Sequence, residues 1–223
     1  MRLDQYKNRN GKIWLNIASS IYVIEDFINL DNHLFIPLVG IYDKVKFLIP
    51  TKYEAMFEAF KEAKASAPLI RHDCRKKLFF PDNSIDHILC SHFIEHVYPD
   101  EANQILADFF RVLKPGATCH LIVPDLNLQV REYINDFNAG QSDAADKLVR
   151  RTLLSRDSRG SFKYRVLEFF GSFGLQHLWM YDSTSLAKRM NEVGFKLLDS
   201  NETASKEFRA GDKSVHLVAE KPL

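Results

Sequence analysis

An α/β fold around a parallel sheet follows from three features of the sequence. Residues 80–126 read without interruption as strand, loop, helix, turn and strand, the right-handed crossover unit of a parallel sheet. Three earlier apolar runs, residues 12–17, 27–30 and 69–72, each end in small or acidic residues. Ligands of such folds sit there, outside the carboxyl ends of the strands. Finally, 223 residues suffice to bury a substantial core and suit a single domain, with or without a cap.

Each element has a local reason. Residues 12–17 (KIWLNI) form a central strand, buried by its Ile, Trp, Leu and Ile, and Ala18-Ser19-Ser20 let backbone amides approach a ligand closely at its end. Residues 27–30 form a second strand ending at Asp31. The intervening segment is shorter than a parallel crossover usually needs, so a compressed turn is expected in place of a helix. Asp31, one strand after a small-residue loop, suits acceptance of hydrogen bonds from ribose hydroxyls, although such a residue by itself is more often a plain turn residue. Residues 32–50 are apolar and aperiodic. Thr51-Lys52-Tyr53-Glu54 spells a capping box, and Tyr53, Met56, Phe57 and Phe60 give the following helix its packing stripe. Residues 69–72 make a brief third strand before Asp73.

Residues 84–90, entered through Pro81-Asp82-Asn83, form a mostly buried strand that opens into the histidine-rich loop 91–99. Ala102, Ile105, Leu106, Phe109, Phe110 and Leu113 line one helix face, and Lys114-Pro115-Gly116 is expected to stop that helix before a strand at 118–123. Two polar helices follow, at 128–137 and around 143–154, then a loop at 155–160 and an aromatic stretch at 162–173. Asp182 or Ser183 caps a helix carrying Leu186, Met190 and Val193 and ending at Gly194. Residues 195–198 and 214–220, separated by a Gly211-Asp212 turn, close the chain as an antiparallel edge pair.

Charge and cysteine usage bound the partners. Thirty basic against 29 acidic side chains create no global field for nucleic acid or an anionic membrane. Residues 71–77 (RHDCRKK) are a local basic run that reads as a solvated loop. Cys74, Cys90 and Cys119 have no paired spacing, which supports neither disulfides nor a zinc knuckle and fits a reducing, cytoplasmic setting. A polar start and short apolar runs predict neither a signal peptide nor membrane insertion.

One motif points elsewhere. His92-Phe93-Ile94-Glu95-His96 spells H-x-x-E-H, the signature of inverted zinc peptidases. That chemistry requires both histidines on one face of a continuous helix, with Glu95 as general base. Here the motif is squeezed between a strand and Pro99, and a third ligand is open between Glu168 and His177. No metal is therefore assigned, and a zinc hydrolase stands only as a remote alternative.

Taken together, residues 12–30, 73–86, Ser91-His92-Phe93-Ile94-Glu95-His96, Arg111-Val112-Leu113-Lys114-Pro115-Gly116, Val123-Pro124-Asp125-Leu126 and His177-Leu178-Trp179-Met180-Tyr181-Asp182 resemble the class I S-adenosylmethionine-dependent methyltransferases. The branch they resemble most is the small bacterial one often found among surface-polysaccharide genes. The resemblance implies a Rossmann-like, seven-stranded, mostly parallel sheet with its last strand antiparallel, helices on both faces and a small helical cap. It makes residues 1–223 one domain, with 32–68 and 127–176 as cap or lid excursions.

The resemblance also implies S-adenosylmethionine as cofactor and S-adenosylhomocysteine as product. Asn16, Ile17, Ala18, Ser19 and Ser20 would pass under the methionine end, Asp31 with Asn32 would hold the ribose, Asp73 and Cys74 would lie beside the adenine, and Ser91-His92 would face the sulfonium. His92, His96 and His177 are the candidate bases, their ordinary pKa suiting that role at neutral pH. Asp125, His177, Trp179 and Tyr181 would line an acceptor pocket for a saccharide or small metabolite, although Trp179 and Tyr181 equally suit packing of the final helix against the sheet. The family usually has Gly-x-Gly where Ala18-Ser19-Ser20 stand, for positive φ and close backbone approach. A catalytically inactive scaffold is the alternative that this departure raises. The aromatic stretches 162–173 and 32–50 suit either cap packing or a homodimer interface.

Overall fold

The computed structural model describes residues 3–41, 44, 47, 51–155, 176–198 and 213–223. Seven strands form one sheet: β1 Trp14–Ile17, β2 Ile28–Asp31, β3 Leu69–Arg71, β4 Ile85–Ser91, β5 Leu113–Pro124, β6 Lys196–Leu198 and β7 Ser214–Glu220. Among the described residues the helices are α1 Phe35–Leu38, α2 Glu54–Ser66, α3 Pro99–Val112, α4 Leu126–Asn138, α5 Ala144–Thr152 and α6 Ser183–Val193. The strand order is β3-β2-β1-β4-β5-β7-β6. Pairings are parallel from β3 through β5, and β7 runs antiparallel to both β5 and β6. The expected sheet is thus present, with β7 inside it and β6 at the edge.

The order reverses between β1 and β4, and open α/β sheets bind ligands outside the carboxyl ends of the strands at such a switch point. Core side chains from both strands hold the switch point in place: Leu15, Ile17, Ile85, Ile88 and Cys90 are all essentially inaccessible to solvent. The expected compressed turn joins β1 to β2, with no helix in residues 18–27. A buried amide pair makes that turn possible. Asn16 Nδ2 donates to Tyr22 O (2.9 Å) and to Asn29 Oδ1 (2.8 Å), and Asn29 Oδ1 also accepts from Ile24 N (2.9 Å). Asn29 Nδ2 in turn reaches the carbonyls of Ile24, Phe27 and Pro68 at 3.0–3.1 Å. Backbone groups that a helix would have paired are paired by side chains, which keeps a short buried crossover affordable.

Three local expectations are corrected. The Thr51 capping box does not form: residues 51–53 make a 3-10 turn, and the N-cap residue of α2, Tyr53, has no side-chain cap. Met56 is 48% exposed, whereas Phe57 and Phe60 are buried. Lys114-Pro115-Gly116 does not separate helix from strand. β5 begins at Leu113, and the β4–β5 register shifts as partners pass from Leu113 to Thr118. The bulge is eased by Gly116 at φ 76°. By contrast, α6 has the expected ends: the Asp182 carboxylate accepts the Ser185 N–H at 2.7 Å, and Gly194 closes the helix at φ 111°.

Lys221 locks the last strand in place. Its backbone pairs with Gly116 and Ala117, and its ammonium group donates to Asn83 Oδ1 (2.7 Å), Phe110 O (2.8 Å) and Leu113 O (3.0 Å). The aromatic stretch 162–173, Glu168, most of the 155–160 loop and the Gly211-Asp212 turn lie outside the described residues, as does much of 42–50. None of the described helices is long and apolar enough to cross a membrane.

Candidate functional site

The carboxyl ends of β1, β2 and β4 bring the named residues to one edge of the sheet. Ala18 and Ser20 hold φ of 53° and 49°, the left-handed conformation for which glycine is preferred. Each such non-glycine residue costs about 1 kcal/mol. The loop therefore keeps the glycine-type backbone without glycine. It is held by Ser19 N donating to Leu30 O (3.0 Å) and by Ser20 N donating to Asp31 Oδ2 (2.9 Å). The second Asp31 oxygen accepts the His33 N–H at 2.7 Å. A carboxylate offers about four acceptor positions, so Asp31 is fixed by two amides with capacity left for hydroxyl donors. Asn32 contributes its carbonyl to Arg71 Nε at 3.3 Å. The Asn16 amide nitrogen is taken up by the β1–β2 turn, while Ile17 packs in the core.

Asp73 and Cys74 follow β3. Asp73 forms a two-pronged pair with Arg75 (Nε 3.0 Å, Nη2 2.9 Å). Burial pushes its pKa up, but the Arg75 hydrogen bonds prevail and hold it below the usual value. Cys74 is buried with its Sγ near the carbonyls of Leu30 (3.9 Å) and His72 (3.7 Å), and desolvation pushes the thiol up to about 12, so it stays neutral. It packs beneath the loop as an apolar side chain.

The second half of the site lies past β4. His92 takes φ 52° and donates its N–H to Ile122 O (2.9 Å), extending the β4–β5 pairing beyond Ser91. Residues 94–96 then make one 3-10 turn. The H-x-x-E-H motif is therefore not on a continuous helix, as peptidase chemistry would require. Instead the turn aims Glu95 inward: it is fully buried, and its Oε1 lies 3.2 Å from His92 Nδ1. His177 comes to His96 from far along the chain, the ring centroids 4.8 Å apart and near-perpendicular. Two backbone bonds pin this approach, because Glu95 O accepts both Leu178 N–H (2.8 Å) and Trp179 N–H (3.1 Å). Burial lowers the His177 pKa against the opposing pull of Glu95, which favours the neutral imidazole.

The residues expected to line an acceptor pocket divide. Trp179 is 44% exposed beside Glu95, whereas Tyr181 is fully buried in the core. Tyr181 pairs through its backbone with Asp125, and burial pushes its phenol up to about 12. Asp125 caps α4 by accepting the Asn127 N–H at 2.9 Å. Glu95 is the residue that sequence reasoning kept only within the peptidase motif, and its burial against three histidines depends on a fold-level contact. Two surface concavities, one along Ser183, Thr184 and Leu217 and the other along Tyr6, Asp26 and Pro68, contain none of these residues.

Comparison with known proteins bears on the fold. Residues 51–121 match the family model described as a methyltransferase domain, over less than half of the chain. No curated protein sequence matches the chain. Among solved structures, an S-adenosylmethionine-dependent methyltransferase of Methanosarcina mazei is similar at 17% identity and a TM-score of 0.53, covering 100% of this chain and 98% of that one. A protein from Pyrococcus horikoshii OT3 is similar at 17% identity and a TM-score of 0.52, covering 98% of this chain and 85% of that one. The chain has the Rossmann-like methyltransferase fold, with a methyltransferase-domain match across its central region.

Proposed function

We propose that this protein is an S-adenosylmethionine-dependent methyltransferase acting on a small-molecule acceptor, and that Ala18, Ser19, Ser20 and Asp31 hold the cofactor. The observation that carries the reading is the loop after β1. Ala18 and Ser20 both keep a left-handed backbone, and the Ser20 N–H fixes the Asp31 carboxylate at the carboxyl end of β2, one strand from the switch point. That conformation costs free energy and would be readily lost from a fold with no use for it. The bound cofactor would supply an electrophilic methyl group on a good leaving group. The chain's own contribution is then alignment of the acceptor and handling of its proton.

His92 is the base best suited to an acceptor hydroxyl. Its side chain is 47% exposed at the end of β4, and the buried Glu95 carboxylate 3.2 Å away orients the ring and would stabilise it when protonated. His177 is buried and His96 half-buried, so both serve better to position than to exchange protons with solvent. A saccharide is one acceptor of this kind, in keeping with the resemblance to the polysaccharide-associated branch.

Calorimetric titration with S-adenosylhomocysteine tests the reading. Binding in the micromolar range that Asp31→Ala abolishes is expected. Absence of binding to folded protein would leave the inactive-scaffold reading in its place.

A further inference from the structure

Glu95, His96 and His177 each offer one ligand atom, and these atoms lie within 4.8 Å of one another. Glu95 is fully buried and His177 is 6% exposed, yet Glu95 Oε2 and His177 Nδ1 have no hydrogen-bond partner among the described residues. A buried carboxylate oxygen left this way is costly unless something positive meets it. Both imidazoles are tied down at the other nitrogen or through the backbone. His96 Nδ1 lies 3.0 Å from Gln176 O, and the His177 backbone N–H donates to Leu153 O at 3.0 Å. Holding one ring nitrogen on a carbonyl fixes the tautomer and turns the other nitrogen into a directed donor of electrons, as in histidine ligands of metals.

We infer that Glu95, His96 and His177 form a binding site for a divalent transition-metal cation. Two imidazoles and one carboxylate suit zinc, iron(II) or cobalt(II), whereas magnesium and calcium favour all-oxygen sets. Bonds of about 2.1 Å place tetrahedral ligands roughly 3.4 Å apart, so small side-chain rotations close the present spacing. His92 does not belong to the set; it contacts the other Glu95 oxygen and sits beside the cation. Three protein ligands leave coordination positions open on the half-buried His96 side, at the strand ends. An oxygen of the methyl acceptor suits such a position, and this last assignment alone rests on the methyltransferase reading.

The test titrates cobalt(II) into metal-stripped protein and follows its visible absorption, with S-adenosylhomocysteine titrated separately into the same preparations. One equivalent per chain is expected, with affinity falling about 100-fold or more in His96→Ala and in Glu95→Gln, a near-isosteric change chosen to preserve the fold. Far-ultraviolet circular dichroism confirms folding of each variant. Absence of saturable cobalt binding to folded wild type, or binding that neither substitution weakens, would overturn the proposal. Because the cofactor titration is independent, cofactor binding without cobalt sinks the metal site alone, and cobalt binding without cofactor sinks the methyltransferase reading alone.

Discussion

Two buried polar clusters lie on either side of the switch point, and they are built on opposite terms. Around Asn16 and Asn29, the amide groups thread a turn, and the Asn29 side chain alone takes part in five hydrogen bonds. Around Glu95, His177 and Tyr181, equally buried polar atoms are left without partners among the described residues. The first cluster replaces a missing helix and works by completeness. The second keeps unmet bonding capacity beyond the carboxyl end of β4. The contrast separates polar groups that hold the chain together from polar groups that wait for something else.

The contrast can be broken at either end. The largest effect of one substitution is expected from Asn29→Ala, which leaves the Ile24 N–H and one Asn16 amide N–H without their acceptor and takes one donor from each of three carbonyls. A loss of about 3–4 kcal/mol follows, read as a lower denaturant midpoint with an unchanged slope. A second change, up to about 3 kcal/mol for each histidine involved, is expected with pH. Burial lowers His87, on the Thr118 hydroxyl, and His120 to about 4. Below a pH near 6.5 the unfolded chain takes up protons that these folded imidazoles refuse. Their contribution is therefore complete above that pH and is lost as pH falls toward about 4. His120→Gln should flatten the dependence across that window in denaturant titrations, and an unchanged curve would refute the assignment.

The open cluster predicts the reverse sign. Tyr181→Phe removes a buried hydroxyl with no partner among the described residues, so stability should rise by up to about 1 kcal/mol. A loss of stability would show that this hydroxyl is engaged. The smallest expected effect is that of Ser20→Gly. It relieves a left-handed backbone but adds glycine's entropy to the unfolded state, for a net change within about 0.5 kcal/mol. Unlike Asp31→Ala, it should leave S-adenosylhomocysteine binding intact.

Much of the fold was legible because its evidence is local. α6 announced both ends through Asp182 and Gly194, β7 was bounded by its own apolar run, and the shortness of residues 18–27 ruled out a helix there. What escaped was decided by partners distant in sequence. Lys114-Pro115-Gly116 reads as a stop, but pairing with β4 absorbs it as a bulge. Asn16 and Asn29 are unremarkable polar letters until parallel pairing sets them side by side. The place of Asp31 at the end of its strand was legible from the small-residue loop before it. The meeting of His96 with His177 was not, since nothing near either residue specifies the other.

The position of β7 also has a consequence in time. β5 cannot complete its pairing until residues 214–220 arrive, because Thr118 faces Glu220 and Pro124 faces Ser214. β6, made earlier, has no seat in the sheet before that, as it pairs only with β7 among the described strands. Such non-local pairings are slow to form. During that interval the β5 edge stays open to other strands, a route to aggregation. Weakening the Lys221 clamp should therefore lower refolding yield more than equilibrium stability.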